Sequence, residues 1–380
     1  AISNNARYGL YIADYGNDRV TSTAYDLYLQ GSGIFPSGFR AIQTENPNLK
    51  WETTIQYNAG IDFALFRNEL YGTADIYLKK VKDMLIQPAY LASLGEGGAS
   101  WSNGPSLQNW GMEFTVGYRH TTSYGLGYNI SGNLDFFRNR VTYLPETTTG
   151  SYAHTTTENL VQAKKPYGSI VGYVVDGLYQ NREEVLACGQ ENARVGGLKY
   201  ADLNGDGRIN ADDQTWIFNP VPDFSWGLNV SLNYKDFDLS MFFQGVCGVD
   251  IYNNQKFQTD FYSITDAGSN KGNRMLQAWT QDNTSSTIPA LTTNNTGDEG
   301  RASTYYVEHG SWLKLRSLQI GYNMPSSLLK KVNMTSARFY VSGQNIFTLK
   351  SDGFTVSDPE NPNWAYPHAT SVSFGLQLGF

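Results

Sequence analysis

The sequence predicts an all-β fold, namely a transmembrane antiparallel β-barrel whose long loops gather on one side. Three observations support this prediction. Apolar and polar residues alternate with a period of two in about ten segments, which is typical of strands with one apolar face. Short turns and long polar connections follow one another in alternation along the chain. No segment approaches the roughly 20 consecutive apolar residues of a membrane-spanning helix.

The composition fits such a fold and excludes other classes. Aromatic residues make up 14% of the 380 residues and charged residues only 17%, as expected when aromatic side chains line both membrane interfaces. The mean hydropathy is below zero, which a barrel permits because polar residues occupy the other face of each strand. A net charge of −7 without a Lys/Arg run argues against nucleic-acid binding. Composition alone leaves a large soluble β-protein open.

The predicted strands of the first half all alternate between an apolar and a polar side. A short turn at Arg67 and Asn68 joins the second strand to the third. The segments, in chain order, are 8–13, 53–65, 70–78, 112–118 and 124–136.

The clearest hairpin covers residues 223–243. A two-residue turn pairs Tyr234 with Phe237. Leu232 then faces Leu239, so both strands share one apolar face.

The last three strands are predicted at 312–322, 337–341 and 371–380. In the first of these the alternation changes face near Ser317, and in the second it leads into Asn345, so their outward residues are not assigned. The final strand alternates most cleanly, and its apolar face consists of Val372, Phe374, Leu376, Leu378 and Phe380.

The connections between these strands fall into two kinds. Short turns lie near Arg67, Thr122, Lys235 and Pro325. Long connections, rich in Asn, Thr, Gly and Ser, cover about 86–108, 140–222, 245–311 and 348–369. Outer-membrane barrels have short periplasmic turns and long extracellular loops, so 140–222 is predicted to be a long extracellular loop insertion.

Several local strings, taken in order, resemble the SusC/RagA family of TonB-dependent importers. The resemblance runs from about residue 4 to the end of the chain. The strings are Asn46-Pro47-Asn48-Leu49-Lys50-Trp51-Glu52, the acidic loop from Asp202, Leu313-Lys314-Leu315-Arg316 leading to Gly321-Tyr322, Gly343-Gln344-Asn345-Ile346-Phe347, Asp358-Pro359-Glu360, Tyr366-Pro367 and the terminal strand.

The resemblance implies a larger protein in the outer membrane of a Gram-negative bacterium. Family members form a barrel of about 22 strands filled by an amino-terminal plug. Residues 1–380 would then be the carboxy-terminal part of the barrel, with the plug outside this segment. Phe380 would be a true chain end and would resemble a barrel-assembly signal, whereas Ala1 would not be a true beginning.

The resemblance also implies function and partners. It implies active import of oligosaccharides or peptides, with the loops contributing to the substrate cavity. The implied partners are membrane lipid, a SusD-like surface lipoprotein, TonB acting through the plug, and a second importer copy.

One motif has the ligand spacing of a calcium loop, over residues 202–213. Gly207 at position 6 permits the sharp turn that such loops need. Position 12 is Asp213 rather than the usual Glu, as in dockerin-type loops, which shortens its reach. The expected role of a bound Ca²⁺ is structural, and the alternative is a tight Asx-rich turn without metal. The predicted ligands are Asp202, Asn204, Asp206, the Arg208 carbonyl, Asn210 and Asp213.

Other signals do not indicate an enzyme. The four histidines, at 120, 154, 309 and 368, lack the spacing of a catalytic metal site. The neighbouring acidic pairs at 183–184 and 212–213 point apart, which is unsuitable for glycoside hydrolysis. Cys188 and Cys247 are read as two separate thiols or as one clamping disulfide. Aromatic side chains in the loops could bind sugars or pack within the loops; they are Trp101, Trp216, Trp279, Trp364 and Tyr366.

A rival hypothesis comes from a different class. The same loops and calcium motif could belong to a calcium-dependent glycan-binding surface β-protein without transport activity. Detergent-dependent solubility of the full gene product discriminates between the two.

Overall fold

The structure is a computed structural model and describes residues 46–86, 101–143, 145, 165–261, 270–292, 299–329, 331, 334–362 and 366–380. The strands are β1 Thr53–Leu65, β2 Leu70–Lys82, β3 Leu85–Ile86, β4 Ser102–Asn103, β5 Ser106–Thr121, β6 Leu126–Tyr143, β7 Ile170–Tyr173, β8 Val175–Leu178, β9 Leu198–Tyr200, β10 Gln214–Phe218, β11 Phe224–Tyr234, β12 Phe237–Cys247, β13 Asp250–Tyr252, β14 Val307–His309, β15 Trp312–Asn323, β16 Ser336–Lys350 and β17 Ser371–Gly379. The helices are α1 Arg182–Ala187, α2 Lys256–Thr259 and α3 Ser326–Leu329, with 3₁₀ turns at Ala211–Asp213, Asn273–Gln277 and Thr304–Tyr306.

Nine long strands form one sheet, which we call the wall, in the order β1-β2-β5-β6-β11-β12-β15-β16-β17. Each strand pairs with the next long strand along the chain. All short turns therefore lie at one end of the strands of the wall, and all long connections lie at the other end. This confirms the fold class and nine of the predicted strands; the predicted strand at 8–13 lies outside the described residues. Among the described residues, no helix is long and apolar enough to cross a bilayer.

The period of two gives the wall an apolar and a polar face. Tyr234 pairs with Phe237 and Leu232 with Leu239, which confirms the predicted hairpin register. On the other side of β11, Val230 pairs with Ile130, so the apolar face continues from strand to strand.

A row of aromatic side chains crosses the apolar face near the short turns. The ring centroids of Tyr118 and Tyr128 lie 5.8 Å apart, and those of Phe237 and Tyr322 lie 4.8 Å apart. Phe339 pairs with Tyr322 and extends the row. Such a row has the character of the aromatic girdle at a membrane interface.

The change of face within β15 is caused by a β-bulge. Leu315 and Ser317 pair with consecutive residues of β12, so Arg316 is an extra residue. Opposite it, Asn345 of β16 has a φ of +49°. The bulge sends Arg316 to the polar face, where its Nε donates to Gln244 Oε1 at 2.7 Å. This explains why the alternation failed at these two points of the sequence.

A glycine allows an ion pair to cross a strand on the polar face. Arg338 of β16 reaches over β15 to Asp238 of β12, with Nη2 and Oδ2 2.6 Å apart. A Cβ at Gly321 would lie 2.4 Å from the Asp238 carboxylate. The missing side chain of Gly321 is therefore what lets these two charges meet.

Residues 166–223 fold against residues 248–261, 270–292 and 299–311, and we call this assembly the loop body. Its short strands form the pairs β7–β10, β8–β9 and β13–β14. Tyr306 is fully buried at its centre. The apolar core consists of Tyr173, Leu178, Leu198, Tyr200, Phe261, Trp279 and Tyr306.

Contacts divide the chain into two compact units. One contains the described parts of Ala1–Gln56, Lys79–Gln108 and Arg140–Lys165. Within it, Asn103 Nδ2 donates to the Lys50 carbonyl at 2.9 Å and ties the segment before β1 to β4. The other contains the described parts of Tyr57–Leu78, Asn109–Asn139 and Pro166–Phe380, which include the loop body.

Candidate functional site

The calcium-type loop lies inside the loop body, between β9 and β10. Residue 202 follows β9 almost directly, and the loop ends in the 3₁₀ turn Ala211–Asp213. β10 starts at Gln214 and pairs with β7, whose Tyr173 belongs to the apolar core. A cation bound in this loop would therefore act on the packing of the loop body.

The first half of the loop is closed by its own side chains. The two carboxylate oxygens of Asp202 accept the Gly205 N–H at 2.6 Å and the Gly207 N–H at 2.8 Å. Asn204 Oδ1 accepts the Asp206 N–H at 2.8 Å. Both glycines have a φ of +77°, which a residue with a side chain rarely adopts. The predicted oxygen donors of this half thus share one tight turn.

Asp213 closes the loop from the other end and is fully buried. Its Oδ2 accepts the Asn210 N–H at 2.9 Å, and its Oδ1 accepts the Leu203 N–H at 2.9 Å. The hydrogen bond from Asn210, followed by those from Leu203 and Asn204, holds the pKa of Asp213 below its usual value against the opposing effect of burial. Because Asp213 binds the N–H of Leu203, the fold brings position 12 next to the start of the loop.

A glycine lets the calcium-type loop dock on the chain after α1. The Ile209 N–H donates to the Gly189 carbonyl at 3.2 Å. A Cβ on Gly189 would lie 1.9 Å from the Gly207 carbonyl oxygen, closer than any real contact. The adjacent Gln190 is buried, and its Oε1 accepts the Tyr200 N–H at 3.1 Å. Neither Gly189 nor Gln190 was identified from the sequence, because nothing local marks them.

The six predicted metal-ligating residues differ in exposure. Asp202, Asn204, Asp206 and Arg208 are exposed, Asn210 is half-buried and Asp213 is buried. Hard cations such as Ca²⁺ prefer oxygen donors of this kind. Each carboxylate oxygen that accepts one N–H still has a lone pair for a cation.

A buried ionic cluster at the bulge of β15 was missed by the sequence reasoning. Lys314 is 1% exposed, and its Nζ lies 2.7 Å from Asp358 Oδ1 and 2.5 Å from Glu360 Oε2. Arg316 Nη2 pairs with the other oxygen of Glu360. His368 Nδ1 lies 2.8 Å from Asp358 Oδ2. The cluster fixes the connection between β16 and β17 onto the polar face.

This cluster contains three groups that could in principle hold a metal ion, namely Asp358, Glu360 and His368. The ammonium group of Lys314 already serves both carboxylates as their cation. Burial would raise the pKa of Asp358, but hydrogen bonds from Lys314 and from the backbone of His368 and Glu360 hold it well below its usual value. The arrangement is that of an internal ion pair and indicates an anchoring role.

A second buried ion pair lies within the loop body, and hydrogen bonds link it to the same connection. Lys256 Nζ lies 2.9 Å from Glu308 Oε1, and both side chains are buried. Glu308 also accepts the Thr355 N–H at 2.9 Å and Asn253 Nδ2 at 3.0 Å. Burial opposes the charged form of Glu308, yet Lys256 and these hydrogen bonds lower its pKa. The ionic cluster and the hydrogen bonds from Thr355 to Glu308 thus hold residues 351–362 at two separate points.

The remaining predicted features have mixed outcomes. Trp279 is buried in the loop-body core, and its Nε1 donates to Gln180 Oε1 at 2.9 Å, so it packs within the loops. Tyr366 is 94% exposed. Cys188 and Cys247 are both free, so the structure contains separate thiols rather than the disulfide. Residues 154 and 364 lie outside the described residues, and Trp101 and Trp216 are half-buried.

Comparison with known proteins places these features in a family. A family model described as "TonB dependent receptor-like, beta-barrel" matches residues 13–246, more than half of the chain. TonB-dependent receptor P3 of Formosa agariphila is 32% identical over 88% of this chain and 35% of its own length. TonB-dependent receptor SusC of Bacteroides thetaiotaomicron is 26% identical over 88% of this chain and 32% of its own.

A solved structure is also similar to this chain in its fold. The structure of the RagAB peptide transporter matches with a TM-score of 0.71 at 21% identity, over 91% of this chain and 37% of that chain. This chain thus spans 32–37% of the three proteins compared. The matched relatives are receptors or transporters rather than enzymes. The similarity to SusC and to the RagAB transporter agrees with the predicted resemblance. The chain belongs to the TonB-dependent receptor β-barrel family of the outer membrane of Gram-negative bacteria, as predicted.

Proposed function

We propose that the complete protein actively imports oligosaccharides or peptides across the outer membrane, and that this chain supplies part of its barrel and substrate cavity. One observation carries the proposal most strongly. The long connections at one end of the wall include a folded body with its own core, and an ion pair crosses the polar face of the wall. A wall of this kind, with a lipid-facing side and a polar lumen side, suits a channel for polar nutrients.

The proposed partners follow from the same family membership. TonB would supply energy through a plug encoded outside this segment, and a SusD-like surface lipoprotein would cover the loop body. A second copy of the importer and lipoprotein pair is a further proposed partner. The rigid anchoring of residues 351–362 by Glu308 and Lys314 supports a loop surface stable enough to bind a second protein.

Whole-cell uptake by the intact gene tests this proposal. A deletion strain should fail to accumulate either labelled oligosaccharides or labelled peptides of one class, and the complete gene should restore uptake. Removal of the proton gradient should abolish accumulation while leaving surface binding intact. Normal uptake of every oligosaccharide and peptide class by the deletion strain would contradict the proposal.

The rival function, a calcium-dependent glycan-binding protein without transport, makes a different prediction. Such a protein would bind glycan in the deletion and complementation experiment but would not accumulate it inside the cell. The full gene product would also remain monodisperse without detergent, whereas a barrel needs detergent and shows a heat-modifiable gel shift.

We also propose that residues 202–213 bind a structural Ca²⁺. The carboxylates of Asp202 and Asp213 support this, because they close the loop from positions 1 and 12 and their oxygens keep lone pairs that a cation could use. The oxygen donors at loop positions 1, 3, 5, 9 and 12 support it further.

Calorimetric titration of the chelator-treated, full-length protein tests the calcium proposal. The intact protein should release or take up heat with Ca²⁺, and Asp206→Asn should weaken binding at least tenfold. Asp212→Asn is a matched control, because it removes the same charge from a loop position without a ligand role. Absence of heat at millimolar Ca²⁺ would refute the proposal.

A further inference from the structure

A basic pocket lies at the end of the wall that carries the long connections. Its volume is about 300 Å³, and three neighbouring strands of the wall contribute to it. β2 provides Lys80 and Lys82, β5 provides Ser106 and Gln108, and β6 provides Thr142 and Tyr143.

Strand alternation places the two lysines on the apolar face. Ile76, which is 49% exposed, and Leu78 belong to the apolar row of β2. Every second residue of a strand points to the same side, so Lys80 and Lys82 continue that row. On β5 the corresponding row runs from Gln108 to the exposed Trp110 and then to Phe114. The cations thus follow directly beyond the apolar and aromatic residues.

Arg140 of β6 adds a third cation. Its Nη2 donates to Gln108 Oε1 at 3.1 Å, which places its guanidinium beside the pocket. Its Nε is shielded from solvent and has no hydrogen-bond acceptor among the described residues. A shielded arginine donor without an acceptor indicates a missing anionic group.

The three cations also lack carboxylate partners in the described part of the chain. The ion pairs there involve other basic residues, and none includes Lys80, Lys82 or Arg140. Three uncompensated charges therefore lie together where an apolar wall gives way to polar loops. In a membrane protein this is the level of the lipid headgroups.

We propose that Lys80, Lys82 and Arg140 bind the phosphate-bearing headgroup of a lipid in the outer leaflet. The ammonium groups of the lysines supply point charges, and the guanidinium of Arg140 supplies directed donors for phosphate oxygens. The inference depends on the wall lying in the outer membrane and is independent of which nutrient the receptor carries.

Native mass spectrometry of the full-length receptor in detergent tests the proposal. Monophosphoryl lipid A and its dephosphorylated form are added in parallel. The wild-type protein should retain the phosphorylated form preferentially. Replacing all three cations, as K80Q, K82Q and R140Q together, should weaken its binding about a hundredfold, since each surface cation contributes about fivefold. The single variant K82Q should weaken it about fivefold.

The controls separate charge, folding and ligand source. K199Q removes one charge from the loop body and should leave lipid binding unchanged. Because Lys82 is exposed, K82Q should fold normally even if the triple variant does not. A heat-modifiable gel shift would show whether each variant has folded into a barrel. Equal retention of the two lipid forms, or unchanged binding by K82Q, would overturn the proposal. Displacement of the lipid by millimolar sodium phosphate would overturn the lipid assignment in favour of a free-anion site.

Discussion

The wall and the loop body are built from the same chain by different physical means. In the wall, each residue's face follows from its position in the alternation, and neighbouring strands pair in chain order. In the loop body, a residue's surroundings depend on contacts such as that between Lys256 and Glu308, which lie 52 positions apart. The wall should therefore tolerate substitutions that keep the apolar or polar character of a face, and should not tolerate those that change it. In the loop body, stability depends on individual long-range contacts.

The largest effect is expected at Lys314 of the wall, which holds the connection between β16 and β17. Lys314→Ala leaves the buried carboxylate of Asp358 without its ammonium partner and leaves Glu360 with Arg316 alone, which should cost about 3–5 kcal/mol of local stability. Hydrogen exchange of the full-length protein should show faster exchange over residues 351–362. Lys235→Ala, at a short turn of the wall, is the matched control and should leave that exchange unchanged.

A pair of adjacent substitutions tests the two faces of the wall. Val230→Lys places a charge on the apolar face and should destabilise the membrane-inserted barrel by about 2–4 kcal/mol. Ser231→Lys places the same charge on the polar face and should cost far less. Urea unfolding in lipid vesicles measures both variants. Equal destabilisation would show that the assignment of faces is wrong.

The docking of the calcium-type loop depends on one glycine. Gly189→Ala puts a Cβ 1.9 Å from the Gly207 carbonyl and should destabilise the loop body by about 1–3 kcal/mol. Faster limited proteolysis near residue 205 is the expected result. Gly132→Ala is the control, because nothing lies closer than 3.6 Å to the Cβ it adds. Similar proteolysis rates for the two variants would contradict this docking contact.

The smallest expected effect is that of low pH on the stability of the connection at residues 351–362. The pKa of Asp358 is lowered in the folded protein, so its contribution to stability is complete above its unfolded pKa of about 3.9 and is lost as the pH falls below that value. The connection at residues 351–362 should become protease-sensitive on acidification, whereas the wall should not. In Asp358→Asn the connection should be weaker at neutral pH and should respond less to acid. An unchanged acid response in this variant would assign the effect to other carboxylates.

Much of the candidate site could be predicted from sequence, but not all of it. The spacing from Asp202 to Asp213 is local, so the turn of the calcium-type loop follows from neighbouring residues and their Asx hydrogen bonds. Its support by Gly189 and Gln190 depends on packing between separate segments, which leaves no periodic signal. The ionic cluster was hidden for the same reason: Lys314 and Asp358 are 44 positions apart.

The sequence by itself determined the wall. Its period of two decides which side chains share a face, and the lengths of the connections decide at which end of the strands the loops lie. Only the tertiary structure decided the bulge at Arg316, the burial of Lys314 and the assembly of the loop body. The physical reason is range: alternation and turn chemistry act between near neighbours, whereas a buried charge is stable only where distant segments bring its partner to it.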